Sequence, residues 1–298
     1  MKLKSLTLKD QDKIARYLKY FRHELAVYSF ADIFIWKNLF DISWAVIDGN
    51  LCVFFKDGFG TFLYLPPMGK CFSAQAVTLA YGLADKMNAN PEVARIENIE
   101  EKDLGFFRNL GLRCRLKSRD YVVLRADMAQ LRGAGFKSQR WARNYFLRNY
   151  NFSLASLRPA DKPECLKLYR LWMSSRRTAN PDRIYQGLMG DSLRALDAAL
   201  AHYSRLGFKG ICVRIDGRMR GFTFGYELNA DTFCILYEIT DLSVKGLAQY
   251  IFSENCRGLG RYKYINVMDD SGLDNLKKVK LAYRPVKLVS AYIARRNE

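Results

Sequence analysis

The sequence has few of the residues that build metal centres and covalent catalytic triads. It contains only two histidines, His23 and His202, and its seven cysteines are scattered with no C-x-x-C pair. Zinc sites and disulfide frameworks need clustered ligands or paired cysteines, so neither is predicted. Asp270 and Asp274 alone offer too few oxygen ligands for a calcium site. The histidines fall in no triad-like arrangement, and we assign them no role.

Long apolar runs are also missing. The most apolar stretch, 27–40, is interrupted by Asp32, Lys37 and other polar residues, whereas a membrane helix needs about 18 uninterrupted apolar residues. A secretory signal has an apolar run followed by a small-residue cleavage site. The N-terminus of this chain carries charge but neither of these features. We therefore expect a cytoplasmic protein without a membrane-spanning segment.

Acidic residues are scarce relative to basic ones. Lys and Arg number 48 against 30 Asp and Glu, which gives a net charge of +18. Such a charge attracts nucleic acid, anionic lipid surfaces or phosphorylated cofactors, although basic surfaces also serve solubility. Hydrophobic residues make up 49% of the chain and aromatic residues 14%, which indicates a folded protein.

The basic excess is densest in the middle of the chain, where six basic residues accompany a single acidic one between 127 and 158. The spacing of Lys137, Arg140 and Arg143 predicts that they lie near one another on a helix, and aromatic residues interleave with them. Such a helix can clamp phosphates and stack bases, or it can simply present a solvated basic face between two domains. The four candidate polyanion-binding residues are Lys137, Arg140, Arg143 and Arg148.

The length of 298 residues suits two domains, and the two halves follow the same plan. Ile47-Asp48-Gly49 recurs 168 residues later as Ile215-Asp216-Gly217, and each triplet is followed by alternating, strand-like segments typical of hairpins. The first half is predicted to contain a strand (2–8), a helix (11–21), a hairpin (51–55 and 61–65), a helix (74–87), a strand (94–99), a helix (104–110) and a closing strand (120–124). The second half repeats this order with segments 152–157, 162–175, 218–227 and 231–238, 246–256, 262–268, 273–283 and 288–294.

This order of elements resembles that of the Gcn5-related N-acetyltransferase (GNAT) fold. The resemblance implies an α/β (α+β) protein of two fused acyl-CoA N-acyltransferase-like domains, each with a mixed central sheet flanked by helices. We predict an N-terminal domain at 1–126, a basic linking helix at 127–150 and a C-terminal domain at 151–298.

The second half also carries the loop that holds the cofactor's pyrophosphate in that fold. The family's pattern is Gln or Arg, two residues, Gly, one residue, then Gly or Ala, and here Ser243 replaces the basic residue while Gly246 and Ala248 keep the core. Lys245 precedes the glycine, and a helix start favours an anion. Lys245, Gly246 and Ala248 are thus candidates for cofactor binding. The equivalent loop of the first half, 65–70, contains two prolines without N–H donors, so we expect that half to be structural or a partner surface.

A closer resemblance, over essentially the whole chain, is to the phosphatidylglycerol lysyltransferase C-terminal domain family. The runs that carry it are Phe30-x-x-x-Phe34-Ile35-Trp36, Pro66-Pro67-Met68-Gly69, Asp120-Tyr121-Val122, Lys137-x-x-Arg140-x-x-x-Asn144-x-Phe146, Tyr264-Ile265-Asn266-x-x-Asp269-Asp270-x-Gly272 and Leu276-Lys277-Lys278-Val279-Lys280-Leu281-Ala282-Tyr283-x-Pro285. The resemblance implies kinship with enzymes that move an aminoacyl group from charged tRNA to a lipid head group or a peptide. The lipid-modifying members have a large membrane-embedded portion that this sequence does not show. Where the family often has Glu-Lys after the hairpin strand, this chain has Glu238-Ile239.

Transfer of an acyl group to an amine or hydroxyl requires positioning, an oxyanion donor and an acid or base, but no covalent nucleophile. Glu238, at the end of a predicted strand, is the first candidate for the base or for a carboxylate that binds ammonium; the alternative is a structural salt bridge. Asn266 and Asp269 follow the next strand, although an aspartate there can also cap the following helix. One turn apart on the last helix, Lys280 can meet a phosphate and Tyr283 can protonate a leaving group or pack in the core.

Three functions remain open from these observations. The first is transfer of an aminoacyl or acyl group with aminoacyl-tRNA as donor, and the second is N-acetylation of a small amine with acyl-coenzyme A as donor. The third is a non-catalytic module that binds tRNA or an anionic lipid surface through the basic helix.

Overall fold

A computed structural model describes residues 2–179 and 182–296 of the chain. The first half contains β1 (Lys4–Ser5), α1 (Gln11–Leu18), α2 (Phe30–Ile35), β2 (Asp41–Ile47), β3 (Asn50–Lys56), β4 (Thr61–Leu63), α3 (Ala74–Lys86), β5 (Ile96–Glu100), α4 (Leu104–Asn109) and β6 (Leu112–Leu124). Two helices follow, α5 (Arg125–Gln130) and α6 (Lys137–Asn149). The second half contains β7 (Phe152–Ser156), α7 (Lys162–Ala179), α8 (Arg183–Ala201), β8 (Lys209–Ile215), β9 (Arg218–Asn229), β10 (Thr232–Thr240), α9 (Leu247–Gly258), β11 (Tyr264–Asn266), α10 (Asp274–Ala282) and β12 (Lys287–Arg296).

The hairpin turns on which the duplication rests are confirmed. Asp48 and Gly49 both have positive φ, 47° and 73°, and Asp216 and Gly217 have 51° and 73°. Two consecutive left-handed residues make the type I′ turn whose twist matches that of the flanking strands. The turns join β2 to β3 and β8 to β9 in register, Ile47 opposite Asn50 and Ile215 opposite Arg218.

Contacts divide the chain into two compact units, and these are not simply the two halves of the sequence. In the described residues the first unit comprises 2–120, 269–276 and 288–296, and the second comprises 121–268 and 277–287. The predicted domain boundaries at 126 and 151 define continuous segments, whereas each of the two units is made of separate segments of the chain.

Each unit takes its last strand from the other half of the sequence. In the first unit the strand order is β1-β2-β3-β4-β5-β12, with Ala291 opposite Glu100. In the second it is β7-β8-β9-β10-β11-β6, where β6 contributes only its last residues, 121–124, and Ile265 lies opposite Val123. The predicted closing strands therefore exist, but each closes the sheet of the opposite half.

Both units have a core between helices and sheet. In the first unit the core joins α3 and α4 to the sheet and includes Phe54, Phe107 and Ala294, all without exposed surface. In the second, Phe233, Ile265 and Cys256 pack together on one side of α9, and Phe146 of α6 packs with Leu247 on the other. Helix α6 is thus anchored in the core of the second unit by its buried face.

One long helix of the second unit lies outside the sequence prediction. Helix α8 begins after Asp182, whose side chain accepts a hydrogen bond from the Tyr185 backbone at 2.8 Å, a standard N-cap. Its buried residues are three alanines, at 195, 198 and 199, together with Tyr185, Met189, Leu196 and Leu200. None of the helices in the described ranges combines the length and apolarity needed to cross a membrane.

Candidate functional site

The second unit has an open sheet edge where two parallel strands part. Strands β10 and β11 pair in parallel as far as Cys234 and Asn266. Strand β10 then continues to Thr240, and over that stretch the described residues pair it with β9 alone. Ligand sites of α/β sheets lie beyond the carboxyl ends of such strands.

Glu238 lies on this one-sided stretch of β10. Its side chain is partly buried, and among the described residues its carboxylate makes no hydrogen bond or ion pair. Burial, with no cation to offset it, raises the pKa of Glu238 to about 8. The group therefore exchanges a proton close to neutral pH, as a general base must.

Tyr283 and Cys256 lie close to Glu238. Burial raises the pKa of the Tyr283 hydroxyl, and the charge of Glu238 raises it further. The same two causes raise the pKa of the Cys256 thiol. The Tyr283 ring stacks on Phe252 with 4.5 Å between centroids. Two of the four predicted catalytic residues, Glu238 and Tyr283, are therefore neighbours.

One further polar group lies beside this carboxylate on the sheet, and a second lies on helix α9. Thr223 is the cross-strand partner of Glu238, has no exposed surface, and its Oγ1 has no hydrogen-bond partner in the described structure. Asn255 is 4% exposed, and its Nδ2 is likewise unpaired within the described chain. An unsatisfied buried polar group costs about 1–3 kcal/mol, so these groups are available to a bound molecule.

The position of Asn255 follows from the packing of α9. A Cβ on Gly221 of β9 would lie 3.3 Å from Leu247 and 3.4 Å from Ile251. Asn255 is one turn beyond Ile251 on the same helix face, and Glu238 shares its sheet face with Thr240, which also meets Gly221. Thr223, Asn255 and Cys256 could not be identified from the sequence, because small polar residues within apolar segments give no periodic signal.

Asn266 and Lys280 both fasten the chain that leaves β11. Asn266 is fully buried, and its Oδ1 accepts a hydrogen bond from the Met268 backbone at 2.7 Å, where Met268 has a φ of 61°. Lys280 is 7% exposed, and its Nζ donates to the Val267 carbonyl at 2.6 Å. These bonds give both residues a structural task, and their proposed catalytic and phosphate-binding roles stay predictions.

Asp269 belongs to the first unit, whereas Glu238 belongs to the second. Its charge contributes to the raised pKa of Asp32, a buried carboxyl that accepts a hydrogen bond from the Tyr64 hydroxyl at 2.7 Å. Burial is the main cause, and it raises the pKa of Asp32 to about 6. Asp269 is therefore part of a buried polar cluster in the first unit.

The loop predicted to bind phosphate, 240–248, makes several hydrogen bonds within the protein. Ser243 donates through its N–H at 2.9 Å and its hydroxyl at 2.7 Å to Asp241 Oδ1, and Arg220 pairs with the same carboxylate at 2.7 Å. Gly246 caps α9 with a φ of 83°, and a Cβ there would overlap the carbonyl oxygen of Ala142 on α6. The close approach of α6 therefore accounts for the glycine, and phosphate binding by Gly246 and the partly buried Ala248 stays a prediction.

The four basic residues of α6 fall into two groups. Lys137 and Arg148 are exposed. Arg140 donates to the carbonyls of Leu131 and Gly133 at 2.5 and 3.0 Å, which holds the chain after α5. Arg143 is partly buried; burial and the nearby Arg257 lower its pKa, and its Nη1 has no partner in the described structure.

A model of the family described as "Phosphatidylglycerol lysyltransferase, C-terminal" matches residues 19–295. No curated protein matches the sequence. A conserved protein of unknown function from Bacteroides thetaiotaomicron has a TM-score of 0.87 and 27% identity, over 99% of both chains. L-PGS from Bacillus licheniformis has a TM-score of 0.66 and 14% identity, over 96% of this chain and 92% of that one. A tandem GNAT protein from the clavulanic acid biosynthesis pathway has 0.51 and 11%, over 100% and 99%. The predicted fold class, two fused GNAT-like domains, is thereby confirmed.

Proposed function

The chain belongs to the phosphatidylglycerol lysyltransferase C-terminal family, and from that premise we propose that it is an acyl transferase with its reactive site around Glu238. The donor in this proposal is an aminoacyl ester on tRNA, and the acceptor is an amine or hydroxyl of a lipid head group or peptide. The observation that carries the proposal is the unpaired Glu238 carboxylate, with a pKa of about 8, on the open edge of β10.

The chemistry asked of Glu238 is removal of one proton. The acceptor nitrogen or oxygen attacks the ester carbonyl carbon and gives its proton to the carboxylate. The bond between that carbon and the ribose oxygen then breaks, and the ribose oxygen takes up a proton. A base with a pKa near 8 is deprotonated often enough at neutral pH and still binds the proton firmly.

Tyr283 is the proposed acid for the leaving oxygen. Its raised pKa keeps the hydroxyl protonated, and its neighbour Glu238 can return the proton to it after transfer. The unpaired Thr223 hydroxyl and Asn255 amide are further hydrogen-bonding groups for the reacting molecules.

The proposed reaction is a direct transfer without an acyl-enzyme. The Cys256 thiol lies close to the site, but burial and the charge of Glu238 raise its pKa, and a protonated thiol is a poor nucleophile. Direct transfer also agrees with the mode of attack expected from the sequence.

Aminoacyl-tRNA is preferred to acyl-coenzyme A as the donor because of the phosphate loop. Asp241 places a carboxylate there, and that carboxylate already binds the Ser243 N–H and hydroxyl. A pyrophosphate would have to compete with that carboxylate for these donors. The exposed cations of α6 offer a polyanion a more accessible surface.

A transfer assay with two labelled donors tests the proposal. The full chain is mixed with aminoacyl-tRNA or acetyl-coenzyme A and a panel of amine and hydroxyl acceptors, and loss of donor label is followed over time. We expect acceptor-dependent turnover of aminoacyl-tRNA that falls about 10²–10⁴-fold in Glu238→Gln. The matched control is Glu101→Gln, the same change at an exposed position.

Each other outcome contradicts part of the proposal. Turnover of acetyl-coenzyme A but not of aminoacyl-tRNA would show that the donor is an acyl-coenzyme A. Binding of tRNA with no turnover of either donor would leave the non-catalytic module, and equal rates for Glu238→Gln and wild type would remove Glu238 from the mechanism.

A further inference from the structure

Helix α6 presents one outward stripe in which cations flank two aromatic rings. Lys137, Trp141, Tyr145 and Arg148 follow one another at intervals of four, four and three residues, so they lie along a single face. Phe146 lies on the opposite side of the helix and is fully buried. We call these four residues the aromatic stripe.

Lys245 completes the aromatic stripe from a different element. It lies in the loop before α9, and its Nζ is 4.8 Å from the Trp141 ring centroid and 4.9 Å from that of Tyr145. The two rings are themselves 5.5 Å apart and tilted by 31°. A cation held by two rings keeps its charge while the rings stay oriented.

The aromatic stripe is accessible and its charge is not neutralised. Trp141 is 56% exposed, a large fraction for an indole, and Lys137, Arg148 and Lys245 are all exposed. None of the three cations pairs with a carboxylate within the described residues. The exposed Trp141 ring, with the partly buried Tyr145 ring beside it, provides a stacking surface, and the unpaired cations provide positive charge. These are the two components of a single-stranded nucleic-acid site.

We propose that the aromatic stripe and Lys245 bind unpaired nucleotides of an RNA end, with a base stacked on Trp141 and backbone phosphates on Lys137, Arg148 and Lys245. This inference rests on the proposed function for its biological donor, tRNA, and adds the surface that holds it. The proposed surface differs from the polyanion site predicted from the sequence, because Arg140 donates hydrogen bonds to the protein's own carbonyls. Lys137 and Arg148 are retained, while Trp141 and Tyr145 are added.

An anionic membrane is the partner that these observations favour less. A helix that lies in a membrane surface inserts a continuous apolar face. The aromatic stripe has two rings only, each within 5 Å of a lysine ammonium group, and cations occupy both of its ends. Ring faces flanked by cations suit bases and phosphates better than acyl chains.

Titration of the full chain with a dye-labelled, unstructured oligoribonucleotide of about eight nucleotides tests the inference, with affinity measured by the anisotropy of the dye in every variant. We expect the oligonucleotide to quench tryptophan emission and Trp141→Ala to weaken binding at least about fivefold, while Trp141→Phe retains most of the affinity. Because Trp141 is exposed, its loss should leave the fold intact. The matched control is Trp172→Ala, a partly buried tryptophan of α7 that also has a cation, Arg176, over its ring at 5.7 Å.

Salt dependence separates stacking from charge. The affinity loss in Trp141→Ala should be the same factor at two salt concentrations. Lys137→Ala and Arg148→Ala should each reduce the slope of log affinity against log salt by about 0.7. Binding by Trp141→Ala equal to wild type would overturn the inference, and so would quenching by phosphatidylglycerol vesicles but not by the oligonucleotide.

The oligoribonucleotide carries no esterified amino acid, so this test does not depend on transfer chemistry. Oligonucleotide binding through Trp141 without any turnover would contradict the proposed function and leave the inference intact. Normal aminoacyl transfer by Trp141→Ala, with unchanged oligonucleotide affinity, would contradict the inference alone.

Discussion

Glu238 lies directly opposite Thr223 on the neighbouring strand, and neither side chain has a hydrogen-bond partner among the described residues. A partly buried carboxylate beside a fully buried hydroxyl, both unsatisfied, reduces stability. Unsatisfied groups of this kind are characteristic of reactive sites, where substrate completes the hydrogen bonding.

Burial of the Glu238 carboxylate should lower the free energy of unfolding of the wild type relative to Glu238→Gln, by an amount that depends on pH. The folded-state pKa of Glu238, about 8, lies above the ordinary value of 4.5, so the unfolded chain ionises first and stability falls as pH rises from 4.5 to 8. Glu238→Gln should therefore be more stable than wild type at pH 8, by about 1–3 kcal/mol, and equal to it near pH 4. Urea unfolding at both pH values measures this, and a constant difference would show that the carboxyl pKa is not raised.

Gly246 should be intolerant of any side chain because of its packing. Gly246→Ala combines a φ of 83° with overlap against Ala142, whereas Gly217→Ala, with a φ of 73°, meets nothing within 4 Å. We expect about 1 kcal/mol of destabilisation for Gly217→Ala and at least about 2 kcal/mol more for Gly246→Ala. Equal costs in chemical unfolding would mean that α6 does not approach the loop so closely. Lys245→Ala is consequently a safer probe of anion binding than a substitution at Gly246.

The Tyr64 hydroxyl should matter most when Asp32 is ionised. The bond from Tyr64 to Asp32 lowers a pKa that burial has raised to about 6, so Tyr64→Phe leaves the buried carboxylate without this donor. The variant should lose about 1–3 kcal/mol at pH 8 and less at pH 5, where Asp32 is protonated. Tyr28→Phe, which removes a hydroxyl bonded to the Asn98 carbonyl at 2.7 Å, should cost the same at both pH values. A pH-independent loss in Tyr64→Phe would contradict the pairing.

Much of the fold could be predicted because its signals are local. The Asp-Gly turns at 48–49 and 216–217 demand positive φ, and alternating apolar residues on either side mark the strands of each hairpin. The exchange of β6 and β12 could not be predicted, because a strand has the same pattern whichever sheet it joins. Ala294, fully buried in the core of the first unit, lies 168 residues beyond that half's boundary at 126.

The candidate site was predicted only in part. Glu238 stood out because a carboxylate ends a predicted strand before the glycine-containing loop, and Tyr283 because it was placed on the last helix one turn from Lys280. Thr223 and Asn255 gain their importance from burial without partners, which depends on tertiary packing alone. The aromatic stripe illustrates the same limit, since spacing placed the rings on α6 but only folding brought Lys245 against them.

The pH dependence of transfer tests the central claim most directly. The rate of single-turnover transfer from aminoacyl-tRNA, measured between pH 6 and 9.5 at saturating acceptor, should rise tenfold per pH unit and level off near pH 8, where the Glu238 carboxyl ionises. Glu238→Gln should lose about 10²–10⁴-fold and show no such inflection, while Glu101→Gln should follow wild type. An inflection near pH 8 that persists in Glu238→Gln would contradict the assignment of Glu238 as the base.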